Sequence, residues 1–166
     1  MQQITDIKEL QKIAKEARKS ILEQIYSAKS GHPGGALSCI DILTVLYFNE
    51  MNMDPQHPQM EDRDRLVLSK GHSSPALYAI LAEKGFFPKE ELKGFRKLGS
   101  SLQGHPDLNK VPGVDMTSGS LGQGLSVACG MALASKLKNQ TNKIYCIVGD
   151  GEIQEGQIWE AAMTAS

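Results

Sequence analysis

At 166 residues the chain is long enough for one domain with a sizeable core. A net charge of -1 and a pI near 6.4 give no electrostatic reason to expect nucleic acid or an anionic membrane as partner. The three cysteines, Cys39, Cys129 and Cys146, are odd in number and unpaired in spacing. That argues against a disulfide framework or a zinc cluster, and for buried thiols in a reducing compartment.

The opening segment, MQQITDIKEL, is polar and lacks the apolar stretch of a secretory signal. No run approaches the ~20 apolar residues of a membrane helix, so the expected location is cytoplasmic. A first helix is predicted from Thr5 or Asp6 as cap, with Ile7, Leu10, Ala14, Ala17, Ile21, Ile25 and Ala28 forming one apolar stripe. Its basic residues interleave with Glu9, Glu16 and Glu23, which reads as a solvated face. Ser30 to Gly35 breaks it, and a second helix follows with Ala36, Cys39, Ile40, Leu43, Leu46 and Tyr47 on one face. Residues 52–64, with Pro55 and Pro58, read as a surface loop.

Arg65 to Ser69 reads as a short strand, and a turn over Lys70 to Pro75 leads into a helix from Ala76 to Lys84. A polar, glycine-rich stretch runs from Gly94 to Gly113. Thr117 to Gly124 then opens a small-residue helix, Leu125 to Lys138. Lys143 to Val148 is the clearest strand, continuously apolar and so expected to be central and covered on both faces. Glu155 to Ser166 reads as a final helix. Strands alternating with helices predict an α/β fold, a doubly wound and mostly parallel sheet with flanking helices. Residues 1–166 are expected to form a single domain. Two strands are few for such a sheet, and the last helix has no cap, so the expectation is a truncated section whose remaining sheet lies elsewhere.

Three features carry chemistry. Gly149-Asp150-Gly151 follows a strand, where α/β sheets bind ligands, and Asp150 suits a hard cation that shares phosphate oxygens. Alone, the same tripeptide reads rather as a turn whose Asp caps the next helix. Gly119, Gly122 and Gly124 lie at a helix mouth, where free amides attract anions. Their order is not that of a dinucleotide fingerprint, and there is no P-loop for a nucleoside triphosphate. Close helix–sheet packing is the other reading of those glycines. Three of the four histidines, His32, His72 and His105, follow a glycine in a turn, which suits contacts to phosphate and hydroxyl groups or proton transfer. His57 reads as merely exposed.

Together, SGHPGG at Ser30 to Gly35, KGHSSPALY at Lys70 to Tyr78, QGHPD at Gln103 to Asp107, TSGSLGQG at Thr117 to Gly124 and GDGEIQEGQIWEA at Gly149 to Ala161 resemble the N-terminal half of transketolase, in the family's order. Deoxyxylulose-5-phosphate synthase has related turns, but HPGG followed by KGHSS resembles transketolase more. The resemblance implies thiamine diphosphate with Mg²⁺ (or Ca²⁺), and transfer of a two-carbon ketol unit between sugar phosphates. It implies Asp150 as metal ligand. His72, Gly119, Leu121, Gly151 and Glu152 are implied on the cofactor side. His32 and His105 are implied to face the substrate and the reactive carbon, and Glu155 and Glu160 to belong to the acidic network near the cofactor. The family's second metal-binding Asn, its activating glutamate and the basic residues for the substrate phosphate belong to sections not present here. The resemblance therefore implies a partner, the C-terminal transketolase subunit, with this chain as a homodimer inside a larger assembly. A non-catalytic phosphate-binding scaffold that keeps the turns is the alternative from another class.

Overall fold

The computed structural model describes residues 3–166. Helix α1 spans Ile7–Ala28, and the Asp6 carboxylate caps it by accepting from the Lys8 amide at 2.9 Å. Of its apolar stripe, Ala14, Ala17 and Ile21 are buried, and the helix ends at Lys29 in the left-handed region. Helix α2, Pro33–Val45, starts on proline, whose fixed φ and missing N–H suit a first turn. It runs on as a π-helical turn over Leu46–Glu50. Helix α3, Ser74–Lys84, is buried over nearly its whole length, which accounts for its all-round apolar sequence. These three helices pack on one another around Ile21, Ile40, Leu43, Tyr47, Leu77 and Tyr78. Gln24 links α1 to α3 by donating to Pro75 O at 3.1 Å.

Strands β1, Arg65–Leu68, and β2, Ile144–Ile147, pair in parallel, with Leu66 opposite Tyr145 and Leu68 opposite Ile147. Parallel pairing requires a crossover, supplied by the long segment through α3 and helix α4, Gln123–Leu137. Strand side chains alternate between faces. Leu66, Leu68, Tyr145 and Ile147 join the cluster under α1 to α3. Ile144 and Cys146 face the other way, toward α4 and helix α5, Gly156–Ala165. Helices thus lie on both faces of a parallel sheet, as expected of a doubly wound α/β fold.

Two expectations need correction. Strand β2 is not covered on both faces: Ile144, Tyr145 and Cys146 are half-buried, and only Ile147 is buried. Among the described residues β2 has a neighbour on one edge only, and α4 and α5 leave an open groove over Ile144 and Cys146. The 52–64 segment is likewise not wholly superficial, since Met53, Arg63 and Asp64 are buried. Its end is held by carboxylates at the amino ends of the strands. Asp64 accepts from the amides of Asn52 at 2.8 Å and Lys143 at 2.7 Å. Asp115 takes both terminal nitrogens of Arg63, at 2.5 and 3.2 Å, and the Leu66 amide at 2.8 Å.

The Arg63 and Asp115 side chains are 4% and 2% exposed, so removing one leaves a desolvated charge. We expect Asp115→Ala to cost about 3–5 kcal/mol in urea denaturation. A loss below about 1 kcal/mol, the level of an exposed pair, would refute that account.

Candidate functional site

The carboxyl ends of both strands and the start of α4 meet at one buried carboxylate. Glu152 is 3% exposed. Its Oε1 accepts from Ser69 Oγ at 2.5 Å and from the Gly122 amide at 2.9 Å, and its Oε2 accepts from the Gly149 amide at 2.9 Å. Ser69 Oγ in turn accepts from the Gly124 amide at 3.1 Å. One side chain thus ties the end of β1, the mouth of α4 and the turn after β2 together. Lys70, also buried, adds the start of α2 by donating to Gly35 O at 2.8 Å and Ser38 Oγ at 2.9 Å.

Glycine is required where these turns touch. A Cβ on Gly71 would lie 2.9 Å from the Gly119 nitrogen, and one on Gly124 would lie 2.6 Å from Ser69 Cα. Gly122 has φ +85°, and a Cβ there would lie 2.9 Å from Glu155 Cβ. The buried hydroxyls of Ser73 and Ser118 have no hydrogen-bond partner. No hydrogen bond from the amides of Gly119, Leu121 or Gly151 forms among the described residues.

His32, His72 and His105 converge beside these turns. The rings of His32 and His72 lie edge to face, 5.1 Å apart. His105 packs on Gly119, whose Cβ would come 3.4 Å from its ring. Its loop is pinned from three sides. Ser74 Oγ donates to Gly104 O at 2.8 Å, Tyr78 Oη donates to Gln103 O at 2.9 Å, and the Ser118 amide donates to Pro106 O at 3.3 Å. Burial lowers the His72 pKa first, and the positive charges of His32 and Lys70 add to it. Burial also lowers the His105 pKa, followed by Arg96 and His32. Both rings are thereby biased to the neutral form that can donate and accept.

The other residues singled out are placed as follows. Asp150 and Gly151 are exposed at the carboxyl end of β2, and Asp150 has no ion-pair partner among the described residues. Leu121 is 38% exposed at the mouth of α4. Glu155 starts α5 against Gly122, whereas Glu160 lies exposed within α5 and makes no contact with the histidines. His57 is away from the site, bonded to Asp54 at 2.9 Å. Ser69, Lys70 and Ser118 were missed by sequence reasoning. Only the position of Ser69 and Lys70 at a strand's end hinted at a role. Among the described residues no three His, Cys, Asp or Glu side chains form a metal cluster, and no helix is long and apolar enough to cross a membrane.

A parallel α/β sheet with glycine turns, a free carboxylate and three histidines at its strand ends defines a domain for a phosphorylated ligand. Residues 9–166 match the family described as transketolase, thiamine diphosphate binding domain, and the chain belongs to that family. It is 54% identical over 157 residues to the 6-deoxy-6-sulfo-D-fructose transketolase subunit SqwG of Clostridium sp. (strain MSTE9), covering 95% of this chain and 57% of that one. It is 48% identical to one of the subunits of the apulose-4-phosphate transketolase of Phocaeicola vulgatus, covering 90% of this chain and 53% of that one. The chain therefore spans a little over half the length of these relatives. Transketolase from Campylobacter jejuni superposes with a TM-score of 0.88 at 39% identity, covering 95% of this chain and 26% of that one.

Two measurements probe this geometry. Gly124→Ala should lose about 1–3 kcal/mol by overpacking against Ser69, whereas Gly130→Ala, with nothing within 4 Å of the new Cβ, should gain roughly 0.5–1 kcal/mol. Equal effects in thermal unfolding would refute the crowding. In an NMR titration His72 and His105 should show midpoints below the ordinary value of about 6.5. Because their folded pKa values lie below the unfolded ones, the unfolded chain binds more protons, and they should weaken stability as pH falls through 6.5. Midpoints at or above 6.5 would contradict the burial argument.

Proposed function

We propose that this chain is the diphosphate-holding section of a transketolase-type enzyme that moves a two-carbon ketol unit from a ketose phosphate to an aldose phosphate. The observation that carries the reading is the meeting of the Gly149–Gly151 turn with the Ser118–Gly124 loop, locked by Glu152. The cradle fits a diphosphate. Gly71, Gly122 and Gly124 let its turns pack without side chains, its amides at Gly119, Leu121 and Gly151 are unspent, and Ser73 and Ser118 keep buried hydroxyls without partners among the described residues. Asp150 fits a Mg²⁺ (or Ca²⁺) ion that takes one or two carboxylates and otherwise phosphate oxygens. A lone protein carboxylate suits an ion shared with the cofactor.

When bound, thiamine diphosphate supplies the nucleophilic carbon for breaking a ketose carbon–carbon bond. The chain's own residues do the rest on this side. Asp150 would hold the cation, and the Gly119, Leu121 and Gly151 amides would donate to the diphosphate. His72 would serve the diphosphate side, while His32 and His105 would hydrogen-bond the substrate's hydroxyls and move their protons. The Glu152 carboxylate, spent on three donors, positions the cradle from beneath.

A partner is part of this reading. Val127, Leu133, Leu137, Trp159 and Met163 on α4 and α5 are 38–85% exposed, apolar side chains of the kind a partner surface covers. A C-terminal transketolase subunit, with a second copy of this chain, would cover it and bring the rest of the site, including the acidic network that Glu155 and Glu160 would join. Calorimetry of thiamine diphosphate with Mg²⁺, on this chain with and without that subunit, tests the proposal. Binding should appear in the mixture, and Asp150→Ala should weaken it by at least about a hundredfold. Absence of binding in both would favour the scaffold reading.

A further inference from the structure

The basic groups that hold the sugar's anion are expected on a section outside this chain, yet one cation on this chain stands beside the histidines. A cleft of about 560 Å³ runs between the end of α1 and the 94–104 loop, lined by Ala28, Ser30, Arg96, Lys97, Gln103 and Gly104. Ser30 and Gly104 are close in sequence to His32 and His105, so the cleft opens next to the face assigned to the substrate.

Arg96 is held in place by several local contacts. Its φ is +57°, a left-handed conformation uncommon for a residue with a long side chain. Its amide donates to Leu102 O at 2.9 Å. Its Nη1 donates to Ser30 Oγ at 3.1 Å, and its Cζ lies 5.6 Å from the Phe95 ring centroid. The guanidinium packs on the Gly104 backbone, where a Cβ would lie 2.8 Å from Arg96 Cζ. The guanidinium nevertheless has no carboxylate partner among the described residues. Arg18, Arg63 and Arg65 are all ion-paired. Strained backbone that persists at an unpaired, oriented charge points to use by a ligand. The same charge helps hold the His105 pKa down.

A guanidinium fork with unspent donors matches the edge of a tetrahedral oxyanion. We infer that Arg96, with the Ser30 hydroxyl and the Lys97 ammonium, forms a subsite on this chain for the anionic end of the sugar, a phosphate or a sulfonate. The inference deepens the proposed function and rests on it. A phosphate ester carries about -1.5 to -2 near pH 7, so it calls on both Arg96 and Lys97. A sulfonate carries one charge and calls chiefly on Arg96.

The test uses the complex of this chain with the C-terminal subunit, loaded with thiamine diphosphate and Mg²⁺. Calorimetry compares ribose 5-phosphate, 2-hydroxyethanesulfonate and uncharged ribose. Arg96→Gln should weaken the anionic probes about tenfold, the loss of one charge-assisted contact, and leave ribose unchanged. Arg96→Lys should recover part of the loss, and both variants should melt at the wild-type midpoint. A loss confined to one anionic probe identifies the anion and sustains the subsite. Unchanged affinity for both anions, or an equal loss for ribose, would overturn it. Arg96-dependent binding of ribose 5-phosphate in a complex that transfers no ketol group would keep the subsite and sink the catalytic reading.

Discussion

Everything at the candidate site hangs on a carboxylate that never reaches the surface. Burying Glu152 is costly unless its oxygens are satisfied. The three donors that satisfy them come from three separate turns: Ser69 after β1, Gly122 before α4 and Gly149 after β2. Each turn adjoins a strand or a helix, and the carboxylate takes one donor from each of the three. The charge therefore acts as a template, and each turn is held in the one arrangement that satisfies it. Asp150 is two residues before Glu152 and Gly119 is three before Gly122, so the bonding that buries one carboxylate also fixes the turn that carries the other, exposed one.

The opposite end of the sheet repeats the device. Asp64 and Asp115 take strand-edge amides at Lys143 and Leu66, and Arg63 neutralises Asp115 in a bidentate pair. A sheet with two strands among the described residues has little ladder to hold its register. Carboxylates at both ends supply directional bonds that a short ladder lacks, and backbone hydrogen bonds to charged acceptors are stronger than neutral ones. The core under α1 to α3 supplies the bulk of the apolar burial, while the ionic groups specify where the strand ends lie.

Much of this was legible beforehand because it follows from local rules. The Asp6 cap, the proline start of α3 and both strands follow from propensity and pattern, and they were placed to within a residue or two, whereas α2 begins at Pro33, inside the stretch read as a break. The three Gly-His turns also signalled themselves, since glycine beside histidine in a turn is an unusual choice for a bare surface. What stayed hidden depended on distant pairing. Nothing near Asp115 says that Arg63 will cover it, and nothing near Glu152 says that its oxygens belong to Ser69 and Gly122. The misjudged cover on β2 has the same root: an apolar run records that a surface is to be buried, not which segment buries it.

The division between buried and exposed charge then explains why the site has the polarity it has. Glu152, Lys70 and the Arg63–Asp115 pair are spent internally, and their partners leave them nothing for a ligand. Asp150 and Arg96 are the reverse: each is held by its backbone on a glycine-flanked or strained turn, and neither has an opposite charge to hold among the described residues. Desolvation favours the neutral form of His72 and His105. The Arg96 charge reaches His105, so the exposed guanidinium lies on the histidine side of the domain. A phosphorylated ligand, as the family's thiamine diphosphate binding domain takes, offers oxygens that neutral imidazoles can donate to. Burial forces Glu152 and the Arg63–Asp115 pair to be satisfied within the protein, whereas Asp150 and Arg96 are solvated and keep their charge available to a ligand.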